Sequence, residues 1–557
     1  MSGGSKIKSE ARFEGCPVTE TSAGMPVKAT YGPGDTRDLG YSRDVGEPGE
    51  YPFVRGIWKD MYRGKLWTRR VFTGLGSASD TNKRYKFLIE HGETGLYCFG
   101  DTITHMGIDP DHPMAKGYAG VSGVSLVCLR DMYELFEGIS LEDISVSFNN
   151  PSMAAAVIYA AFVTAAEDMG YDLGKLSGSI LNEPIHLVHS MYDVNARPLE
   201  LSARVATDVI EYSVRHTPRW HPIAPNAYDM HEKGANAVQE MAFTIAIMME
   251  YIRRMLQRGY DIDQFAPRVN LLGCACDIDL FEEVAKFRAA RKVWARLMRE
   301  RYGAKSPQSW RLYLSAHTSG HSLTRAQPVN NIVRVTLESL ACVLGGLQSF
   351  DPAGYDEGYY VLTEDSALTS LNIHNILAYE ARVANTADPL GGSYYIESLT
   401  RTMEERMWAT IEEMERMGGA IKATESGWMR DELERELIKE QSEVRQVKRV
   451  VVGLNRFVVP EEQEVPIRVG RDRPLEEQIA TSEKREREIV ELRSRRDQGK
   501  ARRSLEGLRA ASGEGINLVE PLRQALRADV TLGEALGAIR LGYGASYDPF
   551  GMVESPF

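Results

Sequence analysis

The chain has 557 residues, 43% hydrophobic and 26% charged, with a formal net charge of −12. That length exceeds one small core and calls for a large barrel with extensions or for roughly two to four domains. The acidic balance excludes a general nucleic-acid role, which needs a basic surface, but leaves room for a local basic pocket for one anion.

The first residues, MSGGSKIKSEARFEG, carry charge but no apolar core of signal-peptide length. No apolar run approaches the ~18 residues of a spanning helix. The expectation is a cytoplasmic protein with no membrane partner. Six cysteines, at 16, 98, 128, 274, 276 and 342, form no CxxC pair and no zinc spacing. They read as buried thiols in a reducing compartment. Cys274 and Cys276 sit two apart in an apolar run. They are expected on alternating sides of a strand, with a redox pair as the second reading.

Residues 1–50, rich in Gly, Pro and charge, predict an extended arm. A rhythm then begins, with short apolar or β-branched runs at 95–99, 144–148, 176–181, 221–224, 269–272, 311–314, 344–350 and 383–386. Amphipathic stretches separate them. The stretch 235–258 has apolar side chains at helical spacing. The stretch 281–302 carries a Lys and Arg face expected to be solvated. Strand–helix alternation favours a parallel sheet with right-handed crossovers. Eight units favour closure, so the fold class is α/β, a (β/α)8 barrel over 51–400. Open doubly wound sheets show the same alternation. Residues 401–557 predict a helical extension: 401–445 is charged and helical, 450–459 is an apolar strand or turn, and 474–512 includes a mixed-sign helix that is solvated or packs on a partner.

Several runs carry small residues where a barrel holds Val, Ile or Leu: Ser145 and Ser147, Ser177 and Ser179, Ser315 and Ala316. Such an interior leaves an axial channel. Alternatively, some of these serines point outward or bond locally. No GxGxxG follows a strand, and neither GxxxxGK[ST] nor HExxH occurs, so nucleotide and zinc-protease fingerprints are absent and no metal ligands are assigned. Asp229-Met230-His231-Glu232-Lys233-Gly234 matches D-x-H-x-x-G, a cobalt-histidine pattern. No flavodoxin-like series surrounds it, so it is read as a decoy.

Eight strings in consistent order carry a resemblance. They are GEYPFVRGIWKDMYRGKLWTRRVFTGLG (49–76), DHPMAKGYAGVSGVSL (111–126), YDLGKLSGSILNE (171–183), FAPRVN (265–270), HTSGHSLT (317–324), GGLQSFDPAGYDE (345–357), ADPLGGSYYIESLT (387–400) and GLNRFV (453–458). Together they resemble the large, substrate-binding subunit of the methylmalonyl-CoA mutase family of B12-dependent acyl-CoA mutases, including its isobutyryl-CoA and 2-hydroxyisobutyryl-CoA members. The resemblance implies a barrel whose axis is threaded by the CoA arm. It implies a radical 1,2 rearrangement of an acyl-CoA skeleton with adenosylcobalamin, bound mainly by a separate small cobalamin-binding subunit. A heterotetramer of two large and two small subunits follows the family's habit, and a G-protein chaperone is a further partner it suggests.

Carried over position by position, Glu232 and Glu357 fall where family glutamates face the deoxyadenosyl ribose and corrin, with Gly320 beside them. A carboxylate accepts the ribose hydroxyls. Arg268 and Gln348 fall on pocket positions, as do Tyr62 and Tyr228. Arg268 binds CoA or the acyl group, or pairs with a nearby carboxylate. Lys65 stands at a CoA-phosphate position with Thr68 nearby, and surface roles remain open for both.

The departures are more informative. The arginine that clamps a substrate carboxylate reads Tyr192, and a phenol makes no bidentate charged pair. The tyrosine wedged against the cofactor is Phe72, as in isobutyryl-CoA-type members. The histidine that hydrogen-bonds the thioester is Asp229. Three readings follow: Asp229 is protonated by burial, it binds a substrate hydroxyl or amine, or it orients His231 as the donor. Two family glutamines become Leu181, with Asn182 beside it, and His317; a serine becomes Asn270. The expected substrate is therefore a monocarboxylic acyl-CoA that is branched, hydroxylated or aromatic. The alternative is a noncatalytic barrel that binds acyl-CoA or a B12 partner.

Overall fold

The computed structural model describes residues 19–150, 152–188, 197–359, 361–460, 463–467 and 475–557. Eight parallel strands make two four-stranded sheets. One sheet has β2 (Gly95–Phe99), β3 (Ser145–Asn149), β4 (Gly178–Ile180) and β5 (Trp220–His221) in that order. The other runs β1 (Thr68–Arg69), β8 (Ser349–Asp351), β7 (Tyr313–Thr318) and β6 (Leu271–Cys276). Short contacts join them. Phe99 N–H donates to the Thr73 carbonyl at 2.9 Å, and Gly273 N–H donates to the Pro225 carbonyl at 3.1 Å beside an isolated Asn226–Gly273 bridge. No continuous ladder closes the sheets among the described residues, so the observed unit is two parallel sheets with helices. Seven of the eight expected runs fall on strands. The run 383–386 is a turn, and the first strand is Thr68–Arg69 instead. Two residues beside an Arg pair give too little pattern for a period to show.

Strand periodicity organises the interior. Tyr97, Ser147, Ser179 and His221 pair in register across one sheet. Thr68, Ser349, Ser315 and Gly273 pair across the other. Ser179 is buried, and the other seven are only partly so. Their neighbours Leu96, Val146, Ile180, Leu272, Leu314 and Phe350 are fully buried, because alternate side chains point to opposite faces and the second face lies under the helices. Within the rows, Ser147 and Ser179 share a hydroxyl hydrogen bond at 2.8 Å, and Ser349 donates to Ser315 at 2.7 Å. Ala316 faces the helices. Cys274 and Cys276, being two apart, share one face; Cys276 lies against the Glu338 carbonyl. This corrects the alternating-side expectation.

The helix Leu280–Arg296 corrects a second one. Its cationic face is buried, not solvated. Lys286 pairs with Glu240 at 2.8 Å, and Arg288 with Glu397 and Asp388. Arg291 donates to the carbonyls of Phe53, Val54 and Gly345. Lys292 pairs with Glu404 at 2.8 Å and with Asp44. The N-terminal arm and the helix Tyr394–Arg416 supply Asp44, Glu397 and Glu404 to this face, the helix Ala237–Gln257 supplies Glu240 to Lys286, and each buried cation thus meets a carboxylate or carbonyl. The helices Gln498–Glu514, Val519–Leu526 and Leu532–Tyr543 share an apolar cluster with the largely apolar helix Met153–Asp168. No helix among the described residues is long and apolar enough to cross a membrane.

Gly178 lets β4 pack closely between β3 and β5. Its φ is +155°, and an added Cβ would lie 1.9 Å from the Val146 carbonyl oxygen and 2.6 Å from the Trp220 ring. Gly178→Ala should cost about 3 kcal/mol or more in chemical denaturation. Gly170→Ala, where a Cβ meets nothing within 4 Å at φ +89°, should cost only about 1 kcal/mol.

Candidate active site

A cavity of about 260 Å³ continues the inward rows toward the C-terminal ends of the strands. Ser147, Ser179 and Ser315 reach it from the rows, and Phe72, Tyr97, Phe99, Leu181 and Leu271 form apolar walls. Its charged groups are Asp229, Asp351, Glu357 and His317, and among the described residues no Lys or Arg lines it. A larger groove of about 770 Å³ lies outside, between the loop after β7 and the helix Trp428–Arg445. There His321 pairs with Glu440, and Arg449 with Glu440 and Asp277, while Arg334 and Arg445 donate to neutral groups.

Local structure aims each side chain. Asn226 caps the short helix Ala227–Glu232 by accepting from the Asp229 N–H, and its bridge to Gly273 fixes that helix on β6. Tyr228 meets the His317 ring edge-on at 4.9 Å. Phe72 packs against Phe99 at 4.5 Å, His317 at 5.4 Å and Tyr97 at 5.5 Å. The β7–β8 register sets His317 opposite Asp351.

Two charged chains result. In the first, His317 Nδ1 bonds the Asp351 carboxylate, and Nε2 lies 3.2 Å from Glu357 Oε1. Burial disfavours the imidazolium, but the charges of Asp351 and then Glu357 hold its pKa well above the ordinary value. In the second, Glu183 accepts from His186 Nδ1 at 2.8 Å, and His186 Nε2 lies 3.4 Å from Asp229 Oδ2. The side chains of Glu183 and His186 are fully buried, whereas that of Asp229 is 30% exposed. Burial pushes His186 down, but its bonds to Asp229 and Glu183 carry it up to about 8. Burial would raise Asp229; the His186 hydrogen bond and charge reverse this and hold it below the usual carboxylate range.

The other expected site residues are dispersed. Glu232 accepts from Ser319 Oγ at 3.0 Å near Gly320, where a Cβ would sit 2.9 Å from Tyr228 Oη and 3.4 Å from Glu232 Oε2. His231 turns away from the cavity, 3.8 Å from Glu240 and 3.9 Å from Asp277. Tyr62 donates to the Leu347 carbonyl, Asn182 to those of Ala206 and Pro222, and Asn270 to those of Gln308 and Arg311. Gln348 bonds the backbone at Leu314 and Gly346. Lys65 is exposed, and Thr68 and Arg268 are half-buried at the starts of the strands, opposite the cavity. Tyr192 lies outside the described residues. Sequence reasoning missed Glu183, His186, Tyr97, Phe99 and Asp351. The Glu183-x-x-His186 spacing was one available signal. Asp351 is identified by strand register, which the sequence does not display.

Comparison with known proteins matches residues 20–545 to the methylmalonyl-CoA mutase family. The 2-hydroxyisobutanoyl-CoA mutase large subunit of Aquincola tertiaricarbonis is 39% identical over 527 residues, covering 93% of this chain and 91% of that one. The methylmalonyl-CoA mutase of Rhizobium meliloti (strain 1021) is 37% identical over 534 residues, covering 95% and 72%. That of Escherichia coli (strain K12) is 35% identical over 529 residues, covering 94% and 72%. The chain belongs to the methylmalonyl-CoA mutase family and is a mutase, an isomerase of the intramolecular transferase class.

The raised His186 makes stability pH-dependent. Its folded value of about 8 exceeds the ordinary 6.5, so its contribution is full below pH 6.5 and lost as pH rises through about 8. The loss should be about 2 kcal/mol. Urea unfolding between pH 6 and pH 9 should show it, and His186→Gln should flatten that slope. An equally steep slope in the variant contradicts the assignment.

Proposed function

We propose that this chain is the substrate-binding subunit of an adenosylcobalamin-dependent acyl-CoA mutase whose acyl group carries no free carboxylate. The carrying observation is the charge of the cavity: three carboxylates, one imidazole and no guanidinium or ammonium among the described lining residues. A malonyl-type substrate needs a bidentate cationic clamp, and Asp229 would repel it.

The two sheets are proposed as halves of one (β/α)8 barrel over 51–400, with an arm at 1–50 and a helical extension at 401–557. The strand order and the contacts at Phe99–Thr73 and Asn226–Gly273 support this reading. CoA would lie along the inward serine rows. Cations stand where the strands begin: Lys65, Arg268, and Arg311 stacked 4.7 Å over Trp58. Carboxylates stand where the strands end, so the phosphates and the acyl group are drawn to opposite mouths.

The residues present suit an adenosyl group. Glu232 and Glu357 offer acceptor oxygens to ribose hydroxyls, and the missing side chain at Gly320 keeps the space beside Tyr228 and Glu232 open. When bound, that group supplies the radical that takes a hydrogen from the substrate and returns it. The protein's own part is positioning and shielding. His317 orients Glu357, and Phe72, Phe99 and Leu181 keep water from the reacting carbons. A small partner subunit is proposed because the similar Aquincola protein is named a large subunit; that it binds cobalamin and assembles two-plus-two rests on the family resemblance of the sequence.

Mass-spectrometric turnover with the chain, that small subunit and adenosylcobalamin should isomerise a neutral branched, hydroxylated or aryl CoA ester and leave methylmalonyl-CoA unchanged. Brisk methylmalonyl-CoA turnover would falsify the reading. Glu357→Gln should lower kcat by about 100-fold. Ser147→Phe, which fills the row, should weaken acyl-CoA binding at least about tenfold with thermal stability kept. Unchanged affinity would remove CoA from the rows.

A further inference from the structure

Nothing in the mechanism above uses Glu183 or His186, yet the chain they form with Asp229 is a costly arrangement. Glu183 and His186 are fully buried behind the cavity wall, and only Asp229 emerges into it. Two carboxylates and one imidazole in a buried line are tolerated only when each charge meets its opposite. Glu183 is anchored in turn by the Ile185 N–H, and it holds His186 Nδ1 at 2.8 Å. The tilt of His186 is thereby set, and as an imidazolium it holds Nε2 at ion-pair distance, 3.4 Å, from Asp229 Oδ2. Lys233, whose Nζ is buried without a hydrogen-bond partner among the described residues, adds positive potential on the same carboxylate. His105, a further neighbour, is pushed down to about 4 by burial and stays neutral, and Tyr97 and Tyr228, both raised by burial, face the same carboxylate as neutral phenols.

We propose that Glu183 and His186 are positioning residues that keep Asp229 as a hydrogen-bond acceptor for a hydroxyl on the acyl group, so that the substrate is a hydroxyacyl-CoA. This rests on the acyl-CoA reading above. An ionised carboxylate has no proton to offer and is a poor neighbour for a thioester oxygen, but it is the strongest acceptor available to a donor. With Oδ2 turned to His186, Oδ1 remains for the substrate. One acceptor oxygen in a cavity lined also by Phe99 and Leu181 suits one O–H. An ammonium would bring three donors and leave some of them unmet.

The test is calorimetric binding of CoA esters to the full chain without cofactor, which reads affinity and not turnover. The probes are isobutyryl-CoA, 2-hydroxyisobutyryl-CoA, 3-hydroxybutyryl-CoA and β-alanyl-CoA. At least one hydroxy ester should bind about tenfold or more tighter than isobutyryl-CoA. Asp229→Asn should narrow that ratio to within about threefold. His186→Gln should leave a ratio that shrinks as pH falls from 8 to 5.5, because Asp229 loses its charged partner and takes up a proton, whereas the wild-type ratio stays level. A purely structural role for His186 would not move that profile. Equal affinity for all esters in the wild type, or tightest binding of the amino ester, overturns this proposal alone. Absence of binding by every ester overturns the acyl-CoA reading and this inference with it. The wild-type comparison needs no variant, so a variant that fails to fold does not shield the proposal.

Discussion

The period of two along each strand is the constraint on which the architecture depends. One face must bury Val, Leu, Ile and Phe beneath the helices; the other must receive whatever is left. Here what is left is serine, glycine and threonine, with one tyrosine and one histidine, set in register across each sheet. Such small side chains leave much of the space they face unfilled. The rows therefore stay partly accessible in the middle of a large molecule, and the cavity opens where they end. Because the serines satisfy one another in pairs, the open interior does not require water at every hydroxyl.

Around this hollow the charges are sorted with some care. Buried cations of the helix Leu280–Arg296 are spent on structure, clasping the N-terminal arm and the helix Tyr394–Arg416. They are not available to a ligand. The cavity is instead supplied with acids, each held by an imidazole: Asp351 and Glu357 by His317, and Asp229 by His186. In a low-dielectric site such pairs fix which groups accept and which donate before any substrate arrives. The specificity proposed above is a consequence of that sorting, since an anionic acyl group meets no Lys or Arg among the described lining residues.

Much of this was legible in the sequence. Strand–helix alternation located seven of the eight strands; the family strings contain Phe72, His317 and Glu357, and the position-by-position resemblance added Tyr228 and Asp229, all of which the fold brings to one cavity. What was not legible depends on long-range packing. The cationic face of residues 281–302 read as solvated because periodicity shows only which side chains share a face, not what covers it. His231 read as a donor beside Asp229, yet two residues apart on a helix point in different directions, and it faces Glu240 and Asp277. Asn182 and Asn270 stood among pocket strings but spend their amides on backbone carbonyls. Asp351 was hidden for the opposite reason, since its meaning comes from standing opposite His317 on the next strand.

The central claim is that the serine rows form the path of the CoA arm and that Asp229 marks its acyl end. A crystal structure of the chain with a non-hydrolysable acyl-CoA thioether tests this most directly. The account predicts the pantetheine between the Ser147–Ser179 and Ser315–Ser349 pairs, the phosphates beside Arg268 and Arg311, and the acyl carbons within contact of Asp229 and Phe72. A ligand seated in the outer groove against Val333 and Arg445, with the rows empty, would contradict it.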